Sequence, residues 1–188
     1  MSWYCDTAPG HPFHEPYHDS EYGFPLTDEA ALFERQSLEI FQAGLSWLLV
    51  LKKRPAMVSA FHGFDVDRVA AYKARDSKRL LNDAGIIRNR LKIASIIENA
   101  QRIQKLRESH GGFDAWIDTH HPLPKKEWVK IFKKEFKFMG GEIVGEFLMS
   151  IGYLPGVHKK TCPVFKKIAK LNPPWMQVDF SIYKETTE

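Results

Sequence analysis

The chain has 188 residues, and its 44% hydrophobic and 13% aromatic content is sufficient for a substantial buried core. Lys and Arg outnumber Asp and Glu by 27 to 23, and the net charge of +4 only mildly favours a polyanionic partner. These values exclude a disordered or low-complexity chain. The sequence lacks a signal-peptide pattern and any apolar run near the ~18 residues of a membrane span, so we expect a cytoplasmic, bacterial-type protein without a membrane partner.

Helical signals recur along the chain, and no convincing alternation of apolar and polar residues predicts a strand. The N-terminal segment through Gly23 is rich in Pro, His and Gly, which is typical of a loop. A first helix is expected to begin near Thr27 or Asp28 and to be interrupted at Gly44. The pattern therefore predicts an all-α fold.

Ser46 is expected to cap a second helix, and Pro55 to open a third, short helix that ends near Gly63. Asp65 and Asp76 are natural caps for the two helices that follow. We treat residues 1–171 as one helical domain, which can comprise two lobes, and leave the tail, 172–188, without assigned structure. The remaining predicted helices span residues 66–72, 77–83, 87 to about 109, 125–136, 142–151 and 163–171.

Four residues at the two ends of the chain have the types expected of one tetrahedral zinc site. Cys5 and His18 lie near the start, whereas His158 and Cys162 are four apart near the end and would share one face of a helical turn. Two thiolates and two imidazoles suit Zn²⁺, and four protein ligands leave no open position for a catalytic water. The metal would therefore be structural. A Cys5–Cys162 disulfide is the alternative, which a reducing compartment disfavours.

Residues 81–92 read Leu-Asn-Asp-Ala-Gly-Ile-Ile-Arg-Asn-Arg-Leu-Lys, in which one helix ends near a glycine and another begins at once. This pattern predicts a helix-hairpin-helix at about 77–95, with Gly85 expected to adopt a positive φ. The amides that open the second helix can receive a DNA phosphate, and the basic residues add charge nearby. An ordinary turn between two helices is the alternative. The residues expected to contact DNA are Gly85, Ile86, Ile87, Arg88, Arg90 and Lys92.

Two further blocks carry a family resemblance. Residues 17–23 read Tyr-His-Asp-Ser-Glu-Tyr-Gly, and residues 38–47 read Leu-Glu-Ile-Phe-Gln-Ala-Gly-Leu-Ser-Trp. Together with residues 84–88, residues 136–140 and the His-x₃-Cys pattern near the C-terminus, they resemble the 3-methyladenine DNA glycosylase I family. The resemblance implies a helix-hairpin-helix glycosylase fold in which Cys5, His18, His158 and Cys162 hold a structural zinc that joins the two chain ends.

The resemblance also implies a reaction and its residues. It implies an enzyme of base excision repair that acts on double-stranded alkylated DNA and hydrolyses the N-glycosidic bond of 3-methyladenine, leaving an abasic site. We expect the protein to be a monomer. Glu39 matches the carboxylate that contacts the base and is expected to be the catalytic residue. Tyr17 and Trp47 match the aromatic residues that bind the substrate. Without the resemblance, Glu39 would be read as a solvent-facing helix residue and Trp47 as a core aromatic.

The segment after residues 136–140 departs from the family, which usually has small hydroxyl residues there. Here Gly141 and Glu142 follow, with Glu146 one turn on, and carboxylates near DNA would weaken binding. This departure supports an alternative function, a catalytically silent helix-hairpin-helix protein that binds DNA and keeps zinc for folding alone. Asp19 and Glu21 could cap loops or orient the zinc-bound imidazole, and the sequence leaves both roles open.

Overall fold

The computed structural model describes residues 4–183, and the secondary structure in this range consists of eleven α-helices and three short 3-10 helices, without a strand. The all-α prediction is therefore confirmed. Within the same range, every helix is too short or too polar to cross a membrane. The helices are α1 (Tyr4–Thr7), α2 (His14–Ser20), α3 (Glu29–Gln42), α4 (Trp47–Ala60), α5 (Val66–Ala70), α6 (Ala74–Asn82), α7 (Arg90–His110), α8 (Phe113–His120), α9 (Lys125–Glu135), α10 (Gly141–Ser150) and α11 (Pro163–Leu171).

Three predicted helix starts are confirmed by side-chain caps. The Asp28 carboxylate accepts a hydrogen bond from an amide in the first turn of α3, and the Ser46 hydroxyl does the same for α4. The Asp65 carboxylate caps α5. At the other end of α7, Gly111 ends the helix with a φ of 89°, a left-handed conformation that glycine adopts without steric cost. Each of these signals is local in sequence, which is why the pattern predicts them.

Other predicted boundaries are wrong. The segment through Gly23 contains the helices α1 and α2 rather than a loop alone. Pro55 lies inside α4, which continues past it because residues before and after it are buried in the same core and outweigh one lost hydrogen bond. Asp76 does not occupy the cap position of α6; Lys73 does, and its amide donates to the Asp76 carboxylate at 2.9 Å. The helix α8 was not predicted.

Of the tail left without assignment, residues 172–183 include two short 3-10 helices, Pro174–Met176 and Phe180–Tyr183. Tyr183 packs against the main core, and its hydroxyl lies 3.1 Å from Nε2 of His121. Residues 1–3 of the predicted domain and residues 184–188 of the predicted tail lie outside the described residues. The described part of the tail is thus tied to the helical body.

Helix α3 is central to the structure. It contacts α4, α5, α7, α8 and α10, and every side chain from residue 35 to residue 41 is buried. A helix that is buried on all sides must accept whatever polar groups its sequence carries, and here these include the Glu39 carboxylate. The fold therefore places the predicted catalytic residue in the core rather than on the surface.

Two lysines connect the α3–α4 region to the α6–α7 region by hydrogen bonds. We call residues 43–46 the α3–α4 joint and residues 83–89 the α6–α7 turn. The Lys92 ammonium, at the start of α7, donates to the carbonyl oxygens of Phe41 at 2.7 Å and Ala43 at 2.5 Å. The Lys53 ammonium, on α4, donates to the carbonyl oxygens of Ala84 at 2.9 Å and Gly85 at 3.2 Å. Lys92 is buried and Lys53 is partly exposed. These bonds hold the turn expected to bind DNA beside the helix that carries Glu39.

Replacing Lys92 with methionine should lower the free energy of unfolding by about 1–3 kcal/mol, because two carbonyl groups in a buried site lose their donor. The matched variant Lys53→Met should cost less than about 1 kcal/mol, since water can reach the carbonyl groups that it leaves. Urea unfolding of both variants measures the difference. Equal losses would contradict the assignment of Lys92 as a buried tether.

Candidate functional site

The four predicted metal ligands come together at the junction of the chain ends. The Cys5 sulfur lies 3.5 Å from Nδ1 of His158, and the Cys162 sulfur lies 3.8 Å from the same nitrogen and 3.9 Å from Nε2 of His18. All four donor atoms lie within 4.8 Å of one another, and both thiols are free. A tetrahedral ion bound at ~2.0–2.3 Å separates its ligands by roughly 3.3–3.8 Å, so this cluster has the spacing to hold a metal ion.

Neighbouring groups orient both imidazoles of this cluster. Nδ1 of His18 lies 2.6 Å from a carboxylate oxygen of Asp19, which leaves Nε2 for the cluster. Nε2 of His158 donates to the Tyr22 carbonyl at 2.8 Å, which leaves Nδ1. Such contacts fix the tautomer and direction of a ligand histidine. Of the two roles left open for Asp19, contact with the imidazole is the one observed.

The structure also brings Tyr17 and Trp47 together. The Tyr17 ring, from α2, lies edge-on to the Trp47 ring at the start of α4, with centroids 5.0 Å apart. The ring of Tyr22 lies 5.6 Å from that of Tyr17, and its hydroxyl donates to a carboxylate oxygen of Glu146 at 3.0 Å. Burial raises the pKa of both tyrosine hydroxyls, and the nearby Glu39 carboxylate adds to that rise. We call Tyr17, Tyr22, Glu39, Trp47 and Glu146 the Glu39 cluster.

Arg35 supports the Glu39 cluster from inside the protein. Its guanidinium carbon lies 4.9 Å from the centroid of the Tyr17 ring, and it donates to the Tyr17 hydroxyl at 3.3 Å and to the Ser150 carbonyl at 3.4 Å. It also forms an ion pair with Glu21 at 2.9 Å. Glu21 is therefore a partner of a buried cation, and not a contact of the imidazoles of the Cys/His cluster.

Burial dominates the electrostatics of Glu39, whose side chain is only 4% exposed. Desolvation and the nearby Glu146 raise its pKa from the usual 4.5 to about 8, and the positive charge of Arg35 opposes this shift. The pKa of Glu146 is raised as well, mainly by burial. Among the described residues, no group donates a hydrogen bond to the Glu39 carboxylate. At neutral pH, Glu39 is therefore mostly protonated in the free protein.

The residues expected to contact DNA divide into exposed and buried groups. Arg88 and Arg90 are exposed in the α6–α7 segment, whereas the side chains of Ile86 and Ile87 are buried and anchor the turn. Helix α7 begins at Arg90, where the side chain of Asn89 caps it, rather than at residue 87. The exposed cations remain candidates for phosphate contacts.

Gly85 differs from its expected conformation. It does not belong to the glycines with positive φ, so that prediction is wrong. A Cβ atom at this position would lie 3.2 Å from Cβ of Ala56 and 3.0 Å from a carboxylate oxygen of Asp83. Close approach to Ala56 of α4 and to Asp83, not backbone torsion, therefore favours glycine at this position.

Lys92 does not belong with the exposed cations. Its side chain is 4% exposed, and its ammonium is bound to the two carbonyl groups at the end of α3. Its position in a basic stretch predicts a DNA contact, but its direction in the fold is set by the α3–α4 joint.

Sequence patterns missed three residues of this site. Arg35 lies among apolar helical residues and has no partner nearby in sequence. Tyr22 belongs to a motif that does not indicate its role, and Glu146 is notable in the sequence only as a departure from the family. For Glu146, the only indication in the sequence is its position one turn after Glu142. The two glutamates nevertheless lie in different environments. Glu142 is exposed and forms an ion pair with Lys125 at 3.2 Å, whereas Glu146 is half-buried beside Tyr22.

The variant Glu39→Gln should stabilise the protein more at pH 9 than at pH 5. Because the pKa is raised to about 8, the folded state keeps a proton that the unfolded state releases near pH 4.5, and stability falls as the pH rises through this window. Glutamine has no such proton, so the difference from wild type should grow by about 2 kcal/mol or more. Urea unfolding at both pH values measures it, with the exposed Glu108→Gln variant as control. A difference that is independent of pH would contradict the raised pKa.

Comparison with known proteins identifies the family of this chain. A family model described as methyladenine glycosylase matches residues 7–132. DNA-3-methyladenine glycosylase 1 of Escherichia coli is 36% identical, and the match covers 79% of this chain and 89% of that protein. DNA-3-methyladenine glycosylase of Haemophilus influenzae is 35% identical, with 78% of this chain and 89% of that protein covered.

A solved structure shares the fold. The crystal structure of a tyrosine-to-phenylalanine variant of 3-methyladenine DNA glycosylase I in complex with 3-methyladenine matches with a TM-score of 0.78. It is 31% identical to this chain, and the match covers 85% of this chain and 96% of that one. The family resemblance of the two sequence blocks is confirmed, and this chain belongs to the methyladenine glycosylase family.

Proposed function

We propose that this protein is a monofunctional DNA glycosylase that extrudes 3-methyladenine from alkylated duplex DNA and hydrolyses its N-glycosidic bond, leaving an abasic site. The observation that carries this proposal is the buried carboxylate of Glu39, which interacts electrostatically with Tyr17, whose ring in turn packs against Trp47. The chain that carries these residues belongs to the methyladenine glycosylase family. The relatives are named for the same activity.

The chemistry of the lesion explains why so few catalytic groups are needed. Methylation at N3 places a positive charge on the base, which therefore leaves as a neutral molecule without strong protonation by the protein. A damaged base is also less costly to unstack than a normal one, which helps to select it. The protein must mainly recognise the cationic base and hold it in place.

Glu39 suits this task because its charge can follow that of the ligand. In the free protein its pKa of about 8 keeps it mostly neutral, but a cationic base nearby favours the carboxylate form. The carboxylate can then accept hydrogen bonds from the adenine edge, and the faces of Tyr17 and Trp47 can attract the cationic ring. Neutral lesions such as uracil or 8-oxoguanine would not supply this charge and should remain in the DNA.

DNA would be held by the α6–α7 segment acting as a helix-hairpin-helix. Arg88 and Arg90 are exposed there and can bind phosphates whatever the sequence, as a protein that must scan DNA requires. Lys53 and Lys92 join this segment to α3 and α4. Phosphate binding would therefore occur at a fixed position relative to Glu39.

The metal in this proposal is a structural zinc ion held by Cys5, His18, His158 and Cys162. The donor set of two thiolates and two imidazoles and the spacing of its atoms fit zinc. When bound, the ion would join the N-terminal helices to the segment before α11. Tyr17 precedes one ligand directly, so the metal also fixes the aromatic wall beside Glu39.

Release of free bases from methylated duplex DNA tests the activity. Wild-type protein should release 3-methyladenine, and Glu39→Gln should lower the single-turnover rate by roughly a hundredfold, because the variant lacks the negative charge that would stabilise the positively charged transition state. Glu108→Gln, at an exposed position of α7, should match wild type. Chromatography of the released bases identifies the product.

Two results would contradict this proposal. A folded protein that binds DNA but releases no base would be the catalytically silent DNA-binding protein, for which the additional carboxylate of Glu146 beside Tyr22 is the favouring observation. Release that is unaffected by Glu39→Gln would remove Glu39 from the mechanism.

Zinc content and thermal unfolding test the metal assignment. The purified protein should contain about one zinc ion per chain, and chelation or Cys162→Ser should lower Tm by roughly 10 °C, since a tightly bound ligand stabilises only the folded state. His11→Ala, at a histidine outside the cluster, should retain the metal. A zinc-loaded protein whose Tm does not change on metal removal would exclude the structural role.

A further inference from the structure

Phe138 combines a left-handed backbone conformation with an exposed aromatic side chain. It lies between α9 and α10 with a φ of 61°, a left-handed conformation that is unfavourable for a bulky side chain. Its side chain is also 39% exposed, so part of the ring remains in contact with solvent. Glycine would adopt this backbone without strain. A strained backbone that presents an exposed aromatic ring is typical of a functional contact.

The surrounding structure forces this conformation. The side-chain amide of Asn99 donates to the Lys137 carbonyl at 3.1 Å, and the Lys137 amide donates to the Asn99 side-chain oxygen at 2.8 Å. On either side of this segment, Phe136 and Met139 are buried in the core. With its neighbours fixed inward and the backbone clamped, the Phe138 ring is held outward.

The ring lies beside the elements that carry the proposed reaction. The Lys92 ammonium is 5.9 Å from its centroid, and the same ammonium binds the Ala43 carbonyl, so Phe138 adjoins the α3–α4 joint. Two residues further on, Gly140 leads into α10, which carries Glu146. Phe138 therefore lies where the Glu39 helix, the DNA-binding segment and the Glu146 helix approach one another.

The surface around Phe138 has the chemistry of a nucleic-acid contact. A shallow depression of about 450 Å³ contains the ring, and the exposed Lys133 and Lys137 lie on its rim. Exposed aromatic rings stack on bases, and neighbouring lysines attract the phosphates that join those bases. Neither a purely apolar partner nor an acidic protein without rings would use both features. The remaining lining residues are Phe136, Met139, Gly140 and Ile143.

We propose that Phe138 stacks on a base of the duplex next to the extruded nucleotide, with Lys133 and Lys137 on the flanking phosphates. The extruded nucleotide rests on the proposed function, whereas the stacking contact requires only that the protein bind DNA. The backbone strain keeps the ring ready for this contact, so little ordering is needed on binding.

A duplex that contains a tetrahydrofuran abasic analogue, flanked by 2-aminopurine, provides the test. Phe138→Ala and Phe138→Gly should raise the dissociation constant about tenfold and abolish the change in 2-aminopurine emission that wild type produces on binding. Phe138→Gly should keep or raise Tm, since it relieves the left-handed strain. Phe180→Ala, at another exposed phenylalanine, should match wild type in all three measurements.

The outcomes separate this inference from the proposed function. If Phe138→Gly binds the duplex within twofold of wild type with the same emission change, the stacking contact is wrong, even when base release is normal. A loss of affinity that only parallels a fall in Tm would also overturn it, because it would show a structural role. A wild-type protein that binds and stacks but releases no base refutes the proposed function alone, and one that does not bind DNA refutes both.

Discussion

The burial of Glu39 is the constraint on which the rest of the site depends. Helix α3 is enclosed by its neighbours, so the Glu39 carboxylate is removed from water. The free-energy cost of ionising it there depends on the charges nearby. Arg35, one turn earlier on the same helix, lowers the pKa of Glu39, whereas Glu146 raises it. The pKa of Glu39 therefore lies close enough to neutral pH for a bound cation to determine whether the group ionises. A more exposed glutamate would be ionised already and would discriminate less.

The cluster of Cys5, His18, His158 and Cys162 and the Glu39 cluster share structural supports. Tyr17 and His18 are adjacent, so the ring beside Trp47 and the imidazole beside Cys162 follow from one short helix. Tyr22 connects the two again, since its carbonyl accepts from His158 while its hydroxyl donates to Glu146. Disturbing the junction of the chain ends should therefore shift the aromatic wall of the site as well as the stability of the fold.

Sequence patterns predicted features that depend on neighbours along the chain. The caps Asp28 and Ser46 bind amides within one turn, and the two motif blocks contain the residues that meet in space. The patterns did not predict whether a long charged side chain extends into solvent or binds a partner that is distant in sequence. Lys92 lies in a basic stretch yet points to carbonyl groups about fifty residues away, and Arg35 has its partners on other helices. The periodicity of nearby residues does not indicate these distant partners.

The two carboxylates of the Glu39 cluster change what the site can select in the proposed reaction. Desolvation and mutual repulsion disfavour ionising both Glu39 and Glu146, so the pair resists a second negative charge until a cation enters. The hydroxyl of Tyr22 stabilises the ionised form of Glu146, which favours the proton remaining on Glu39. Binding of a cationic base would then cause Glu39 to lose that proton, whereas a neutral base would bind next to protonated Glu39. In the proposed reaction, discrimination between damaged and normal purines would therefore depend on charge as much as on shape.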